Sequence, residues 1–483
     1  MSKAAILSTL AALLMTACQS YDTELPMPDD EAALTAVQKE EITQITEDVN
    51  SGEVKNILGN LFGKQRKGRS ADYTVSLLKD KQGIDRVICI NYADNGGFAL
   101  ISAEKTHSPI LAYADEGNFT VTDSLPFPLS EWMDCTMHSI AESESLPADS
   151  LEKIAGMWHR YEVVEPIKPL SDTPSVRKSR SIDPEEYYEL SQIMMEKIDE
   201  WNSLGYRVYS INDYNGTTSF GDHSQLAGYV QAYIWPVYFE DYADLTVIVE
   251  IDKSTRTGLG HCLTTKWDQF SGFNQSFPTT TDNITGHIPV GCGPVAVGQI
   301  LYANKYPSYF NWNGMSKGPS GNKTTSDFLL DVYYKCNAKY DKNTGTGCSQ
   351  ENRAKALKAY GYTSQLIDDP KQITKSVLLT YSPSIISSEL TDKDGKKGRH
   401  AWIVEGGEQY TGYIEKQVWT FTYEKTFSCI HHEEELIDTG TLFYANWGWG
   451  GDKDGFFGFS LLKPSGYTNS VFKSALVNIK PNK

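Results

Sequence analysis

A cysteine flanked by two glycines opens an apolar, helix-like run in the segment GCGPVAVGQILYANKYP, residues 291–307. Gly291 and Gly293 leave the sulfur of Cys292 open to a substrate, and Pro294 suits the first turn of a helix. The positive end of a helix dipole favours the thiolate form of a cysteine placed there. The pattern therefore predicts a nucleophile at a helix N-terminus, whereas a cysteine inside an apolar helix normally only packs in a core.

A nucleophilic thiolate needs a base that moves its proton, and His400 is the candidate. It lies in KKGRHAWIVEGG, residues 396–407, where a Gly- and Lys-rich turn leads into an apolar strand. The oxyanion formed by thiolate attack needs donors as well. Gln269, in LTTKWDQFSGFNQSFP, and the backbone N–H of Cys292 are expected to supply them. This chemistry requires no cofactor.

An orienting partner for the imidazole is expected in FYANWGWGGDKDGFF, residues 443–457. Asn446 is the candidate, although Trp447 or a backbone carbonyl could share the role. Trp447 and Trp449 are expected to wall the site, exclude water and pack on the ring of His400. Cysteine, histidine and asparagine in this order form the papain-type arrangement.

These segments together resemble the streptopain family of bacterial papain-like cysteine peptidases. The nucleophile segment shares Cys292, Gln299 and Ile300 with the family pattern, and N-W-G-W-G-G recurs at 446–451. The resemblance covers about 260–483 and implies an α+β fold, with a helical part and an antiparallel β part. Gly293 departs from the family pattern just after the cysteine, which leaves substrate preference open.

The residues before the catalytic segments predict a smaller α+β unit. Short β-type runs fill 73–122 and suggest an antiparallel meander, and 128–161 has a helical apolar pattern. The stretch GGFALISAEKTHSPILAYADEGNFT, residues 96–120, resembles the β-rich pro-domain of streptopain-like zymogens. The resemblance implies that 18–164 contains a tether and a pro-domain that acts as an intramolecular inhibitor.

A proline- and serine-rich linker follows at 165–184 and carries the basic stretch RKSR at 177–180. The stretch is either a simple interdomain link or, because exposed basic loops are sites of proteolytic nicking, the site of an activating cleavage. The catalytic region is then 185–483. Residues 185–250 exceed what the family core needs and could be extra pro-region or a helical addition to the mature enzyme. A cut near 253–256 is therefore the alternative.

The N-terminus has the pattern of an export signal. Lys3 precedes an apolar run from Ala4 to Ala17, which is shorter than the roughly 20 residues that span a bilayer. Small residues before Cys18 resemble the lipobox of bacterial lipoproteins. We expect residues 1–17 to be a signal peptide and Cys18 to carry a lipid anchor, the chain's one link to a membrane. This places the protein at the cell envelope, on the outer membrane or cell surface, from which a mature form could be released.

Charge and cysteine usage exclude other classes. The net charge of −18 disfavours nucleic acid as a partner, because phosphate binding needs concentrated Lys and Arg. Eight cysteines are too few for a disulfide scaffold in 483 residues, and Cys336 with Cys348 is the best candidate for a single pair. No metal site is predicted, since adjacent His431 and His432 would point to opposite faces of a strand.

The sequence therefore predicts an exported cysteine endopeptidase, made as a zymogen, that hydrolyses peptide bonds of proteins or peptides through an acyl-enzyme thioester. Two alternatives stay open. One is a catalytically idle papain-fold lipoprotein that acts as a binding or inhibitor module. The other is a papain-fold acyl transferase, which would share the Cys–His chemistry but transfer the acyl group to an amine.

Overall fold

The computed structural model describes most of the chain from residue 51 onward. The predicted signal peptide, Cys18 and the basic stretch 177–180 lie outside the described part. No helix among the described residues is both long and apolar enough to cross a membrane. The described residues are 51–62, 72–120, 125, 127–164, 183–210, 245–259, 261–283, 285–391, 397–422, 424–458 and 472–482.

The pro-domain, here residues 51–164, is an antiparallel meander covered by helices, as the sequence predicted. Each strand pairs with the next, from β1 with β2 to β3 with β4. The apolar stripe of α2 is buried through Leu129, Trp132 and Met133. The elements of the pro-domain are α1 (Ser51–Phe62), β1 (Tyr73–Lys79), β2 (Asp85–Tyr92), β3 (Phe98–Ser102), β4 (Ile110–Ala114), α2 (Phe127–Glu142) and α3 (Ala148–His159).

The catalytic region is a large antiparallel sheet with helices on both faces: α5, α6 and α7 pack on one face, and Ile373 of the short α8 is buried on the other. The segment after the linker begins with helix α4, whose N-cap Asp183 accepts a hydrogen bond from the N–H of Glu185 at 2.8 Å. Helix α5 is apolar on almost all sides because it is surrounded by other elements. The helices are α4 (Pro184–Ser203), α5 (Cys292–Asn304), α6 (Lys323–Lys335), α7 (Gln350–Ala359) and the short α8 (Lys371–Thr374).

The sheet runs through both parts of the molecule in the order β1-β2-β3-β4-β14-β13-β12-β11-β15-β10. Strands β8 and β9 form a separate hairpin. The α+β class predicted from the sequence is confirmed. The strands of the catalytic region are β5 (Arg207–Ser210), β6 (Val247–Asp252), β7 (Thr255–Leu259), β8 (Lys339–Asp341), β9 (Gly345–Gly347), β10 (Tyr362–Ile367), β11 (Ser384–Thr391), β12 (Lys397–Phe421), β13 (Phe427–Asn446), β14 (Gly455–Gly458) and β15 (Phe472–Pro481).

The long hairpin of β12 and β13 extends well beyond the catalytic segments. One edge of β12 pairs first with β11, then with β7 and finally with β6, while β5 pairs with β6. The stretch 429–440 lies within β13. The outer part of the hairpin and strands β5, β6 and β7 therefore form one structural unit.

The pro-domain and the catalytic region share a hydrophobic core. Strand β4 pairs with β14, so Tyr113 lies opposite Phe456. The two rings stack with centroids 5.0 Å apart. Trp132 of α2 meets Phe457 edge-on at 5.0 Å. This contact places the pro-domain against the strand that follows the N-W-G-W-G-G turn.

Candidate active site

The N-terminus of α5 presents Cys292, and a glycine makes this geometry accessible. Gly291 is the N-cap residue and has φ 91°, a conformation that side-chain-bearing residues rarely adopt. A Cβ atom at Gly291 would lie 2.5 Å from Cγ2 of Thr346 in the β8–β9 hairpin. Both the backbone conformation and the lack of space for a Cβ atom thus require glycine at position 291.

The sulfur of Cys292 lies against the start of β12. The backbone N–H of Ala401 donates to Sγ at 3.3 Å, and the ring of His400 is hydrogen-bonded to the same thiol. Burial alone would raise the pKa of Cys292, but the charge of His400, its hydrogen bond and the charge of Arg353 hold that pKa below its ordinary value. The structure therefore brings the predicted nucleophile and base together and favours the thiolate.

Arg353 is a contributor that the sequence analysis missed. It lies on α7, is 5% exposed, and its Nη2 donates to the carbonyl of Cys348 at 3.0 Å. A Cβ atom at Gly293 would lie 2.8 Å from Nε of Arg353 and 2.5 Å from Sγ of Cys348. Gly293 is thus needed for the guanidinium to approach the thiolate end of α5. The second glycine of the G-C-G pattern was the signal for a close neighbour, although it could not name Arg353.

His400 is buried, and a main-chain group fixes its orientation. Its Nε2 lies 3.0 Å from the carbonyl oxygen of Trp447. The ring of Trp449 stands perpendicular to the imidazole with centroids 6.0 Å apart. Because Nε2 is engaged by a carbonyl, it acts as the donor, and Nδ1 is left as the nitrogen that can exchange a proton with sulfur.

The side-chain amide of Asn446 is held by Glu405 and Gln299. The register of β12 and β13 pairs Asn446 with Ile403, three residues further along β12 than His400. Its Nδ2 donates to Oε1 of Glu405 at 3.2 Å, and its Oδ1 accepts from Nε2 of Gln299 at 3.1 Å. The alternative orienter that the sequence left open, a backbone carbonyl, is thus the group at Nε2.

Two buried carboxyl groups hold the turn that carries this carbonyl. Oδ1 of Asp454 accepts from the N–H of Trp447 at 2.9 Å, and burial raises the pKa of Asp454 to about 7. Burial likewise raises the pKa of Glu405 to about 8, although hydrogen bonds from Leu263 and Asn446 oppose the shift. Neither was singled out from the sequence. Their only signal was the position of Glu405 in the histidine motif and of Asp454 in the D-K-D-G turn.

The ring of Trp447 is enclosed by other side chains, and its role in walling the site stays a prediction. It is fully buried and packs against Trp402 with centroids 4.8 Å apart. Its Nε1 donates to the carbonyl of Lys453 at 3.0 Å. The reason is that β14 and the pro-domain cover this face of the turn. Trp449 is the tryptophan that packs on His400.

Gln269 lies beside the start of α5. Its carbonyl accepts from the N–H of Val290 at 3.0 Å, which fixes this segment two residues before Cys292. The side chain of Gln269 is 7% exposed. This position is compatible with the predicted oxyanion role, which stays a prediction.

The assembled groups can perform nucleophilic acyl chemistry. A thiolate at a helix N-terminus, a histidine within hydrogen-bond reach and a fixed carbonyl behind that histidine are the parts that a cysteine nucleophile requires. Within the described residues, no cluster of three or more His, Cys, Asp or Glu side chains could hold a metal ion.

Comparison with known proteins identifies relatives of both parts of the chain. The model of the Spi protease inhibitor family matches residues 52–140. Streptopain of Streptococcus pyogenes serotype M28 (strain MGAS6180) is 22% identical over 338 residues, covering 58% of this chain and 75% of that protein. Streptopain of Streptococcus pyogenes serotype M1 is 21% identical over the same length and coverage. The chain is a homologue of the streptopain-type cysteine peptidases.

Two solved structures are also similar to this streptopain homologue. A prointerpain A fragment of Prevotella intermedia is 16% identical and covers 85% of this chain and 98% of that chain, with a TM-score of 0.44. The active interpain A cysteine protease of the same organism is 21% identical and covers 46% and 94%, with a TM-score of 0.33. The inhibitor-family match falls on α1 to α2, so this streptopain homologue is a cysteine peptidase that carries an inhibitory pro-domain ahead of its catalytic region.

Proposed function

We propose that the protein is an exported cysteine endopeptidase made as a zymogen and tethered by a lipid at Cys18. The observation that carries the catalytic part is the placement of Cys292 at the N-terminus of α5 against His400. The substrates are proteins or peptides.

The reaction follows from the geometry. His400 accepts the proton of Cys292, and the thiolate attacks the carbonyl carbon of the scissile peptide bond. Gln269 and the backbone N–H of Cys292 stabilise the oxyanion. The protonated imidazole then donates to the leaving amine as the C–N bond breaks, and water hydrolyses the thioester to release the acid and the thiol. The carbonyl of Trp447 holds Nε2–H throughout, so the ring keeps Nδ1 toward sulfur.

Latency is supported by the position of the pro-domain. Its strand β4 pairs with β14, and its α2 packs on Phe457, whose ring meets the ring of Trp447 at 5.5 Å. The pro-domain thus packs on the element that orients the catalytic histidine. Cleavage between about 165 and 256 would break the covalent connection between the two parts of the chain and raise activity.

One experiment tests the peptidase assignment. The protein is incubated with an unstructured peptide and with an epoxide-type thiol probe, beside the Cys292→Ala variant. We expect hydrolysis and labelling only in the wild type, and equal unfolding curves for the two. Full activity in the variant would refute the nucleophile. Transfer of the acyl group to an added amine, with little hydrolysis, would instead identify an acyl transferase.

A second experiment tests latency by comparing equal amounts of uncut and cut wild-type protein on the same peptide. We expect the uncut chain to be weakly active and the cut chain to turn over faster. Equal turnover after the N-terminal fragment has been removed from the cut chain would mean that the N-terminal part binds or spaces but does not inhibit.

The lipid anchor is tested by Cys18→Ser. We expect the variant to move from the membrane fraction to the soluble fraction, and the wild-type N-terminus to carry the mass of a lipid. An unchanged distribution with no lipid mass would rule out the anchor.

A further inference from the structure

Strand β6 is buried on both faces, although it belongs to a part of the chain that the peptidase core does not need. On one face Val247, Val249 and Ile251 pack in an apolar cluster with residues of α4 and the outer part of the β12–β13 hairpin. Because side chains alternate along a strand, Glu250 and Asp252 point to the other face. Glu250 is 1% exposed, and a buried carboxylate is strongly destabilising unless it is paired.

Part of the pairing comes from the pro-domain. His159, at the end of α3 and 1% exposed, places Nε2 2.6 Å from Oε2 of Glu250. Its Nδ1 lies 2.9 Å from Oε2 of Glu162. Arg207 of β5 binds the same Glu250 oxygen with Nη2 at 3.0 Å, and the hydroxyl of Tyr209 donates to it at 3.3 Å. Glu250 therefore joins a cation of its own unit and a histidine of the pro-domain.

Further contacts between the two units surround this cluster. Nη2 of Arg160 lies 3.3 Å from Oδ2 of Asp252, and Nη1 of Arg207 donates to the carbonyl of Arg160 at 2.8 Å. At the other end of the interface, Nη2 of Arg256 donates to Oδ1 of Asn60 at 3.3 Å. In each contact the partner outside the pro-domain precedes residue 260, where the peptidase resemblance begins.

The same unit is fixed to the catalytic sheet. Strand β6 pairs with residues 414–419 of β12, and β7 pairs with residues 407–411. The alternative cleavage site at 253–256 covers the turn between these strands and the first two residues of β7, and the N–H of Lys253 donates to the carbonyl of Tyr413 at 2.9 Å. A cut there would leave both new ends hydrogen-bonded into the sheet.

We propose that α4, β5, β6 and β7 form a docking platform for the pro-domain, remain in the mature enzyme, and hold the pro-domain after cleavage within 165–182. The inference rests on the proposed function, because it takes the pro-domain as the inhibitory partner. A cut alone then yields a complex of two fragments. Full activation requires a second event that releases or degrades the pro-domain.

The test uses the full-length Cys292→Ala chain with a site for a sequence-specific protease placed at 171–180. After complete cleavage, size-exclusion chromatography over a dilution series measures how far the fragments stay together. We expect them to co-elute at micromolar concentration. His159→Ala should raise the dissociation constant by about 10–100-fold, the scale expected when a buried carboxylate loses one hydrogen-bond partner.

Variants on both sides keep the test independent of folding. His159→Ala leaves Glu250 paired with Arg207, so the platform should fold, and equal unfolding curves of the uncut chains check this. Glu250→Gln should weaken binding in the same direction, and the double variant should be little worse than His159→Ala because both changes remove one contact. Glu415→Gln is the matched control, since Glu415 lies on β12 and pairs with Lys253 at 3.1 Å, away from the cluster.

The outcomes separate this inference from the proposed function. Fragments that separate equally in parent, His159→Ala and control would overturn the platform, as would loss of 183–259 from the catalytic fragment. The same cut made in the wild-type chain, assayed on a peptide, tests inhibition by itself. A complex that stays together yet is fully active would support docking and refute the inhibitory role.

Discussion

Burial of the Glu405 carboxyl group predicts a stability that falls as the pH rises. The residue is 3% exposed, and its pKa in the folded chain is raised to about 8. An unfolded glutamate titrates near 4.3, so between about pH 5 and pH 8 the folded chain binds more protons than the unfolded chain. The free energy of unfolding therefore decreases with pH in this window. Integration over the window gives roughly 3.5 kcal/mol for a shift of this size.

The assay is urea unfolding of the Cys292→Ala chain, followed by tryptophan fluorescence at pH 5 and pH 8. Other groups titrate as well, and Asp454, whose pKa is raised to about 7, acts in the same direction. We therefore compare the change in the free energy of unfolding between pH 5 and pH 8 in the parent with the same change in Glu405→Gln. We expect the variant to lose less stability between the two pH values, by about 2–4 kcal/mol.

A matched control separates this effect from a general response to glutamate loss. The pKa of Glu415 is lowered, chiefly by its hydrogen bond with Gln417, so its contribution to stability changes only at more acidic pH. Glu415→Gln should leave the difference between pH 5 and pH 8 unchanged. If Glu405→Gln loses as much stability between pH 5 and pH 8 as the parent does, the carboxyl group of Glu405 is ionised in the folded chain and the reasoning fails.

Three further changes probe the site itself. Arg353→Met should raise the pKa of the Cys292 thiol and slow its alkylation at pH 6 by about tenfold, and an unchanged rate would remove Arg353 from the site. Asp454→Ala should lower kcat by about 10–100-fold, because the N–H of Trp447 loses its acceptor and the residue whose carbonyl orients His400 is held less firmly. Asp454→Asn keeps an acceptor and should recover most of the activity. Equal losses in the two variants would contradict this role. Gly293→Ala should cost about 1–3 kcal/mol by thermal unfolding, whereas Gly347→Ala, with open space around its Cβ, should cost little; equal melting temperatures would refute the close contact.

Sequence analysis could predict the nucleophile and its base because both depend on local patterns. The glycines around Cys292 encode a helix start, and the apolar run after His400 encodes a strand. The histidine's partner depends on strand register, which no local pattern specifies. Asn446 pairs with Ile403, three residues beyond His400, and the group at Nε2 of His400 is the carbonyl oxygen of Trp447.

Long-range contacts explain what the sequence could not predict. Arg353 lies on a helix with no motif of its own, and only the packing of α7 beside α5 brings it to the thiolate. The segment before residue 260 that exceeds the family core and the stretch 429–440 are far apart in the sequence. Strand pairing joins them into one unit, because β6 and β7 need the outer part of β12 as a partner.

The apolar contacts of the pro-domain bear on how activation can proceed. Phe457 is fully buried, and Phe456 is 4% exposed while its ring stacks on Tyr113 of the pro-domain. Exposing one such side chain costs about 1.5–3 kcal/mol, and the paired edge of β14 would be uncovered at the same time. Separation of an intact pro-domain is therefore unfavourable at both of its contacts, at β14 and at the platform. Degradation of the pro-domain avoids this equilibrium, because the removed inhibitor cannot bind again. The interface thus favours activation in two steps. A first cut breaks the chain between the pro-domain and the catalytic region, and further proteolysis of the pro-domain makes the change irreversible.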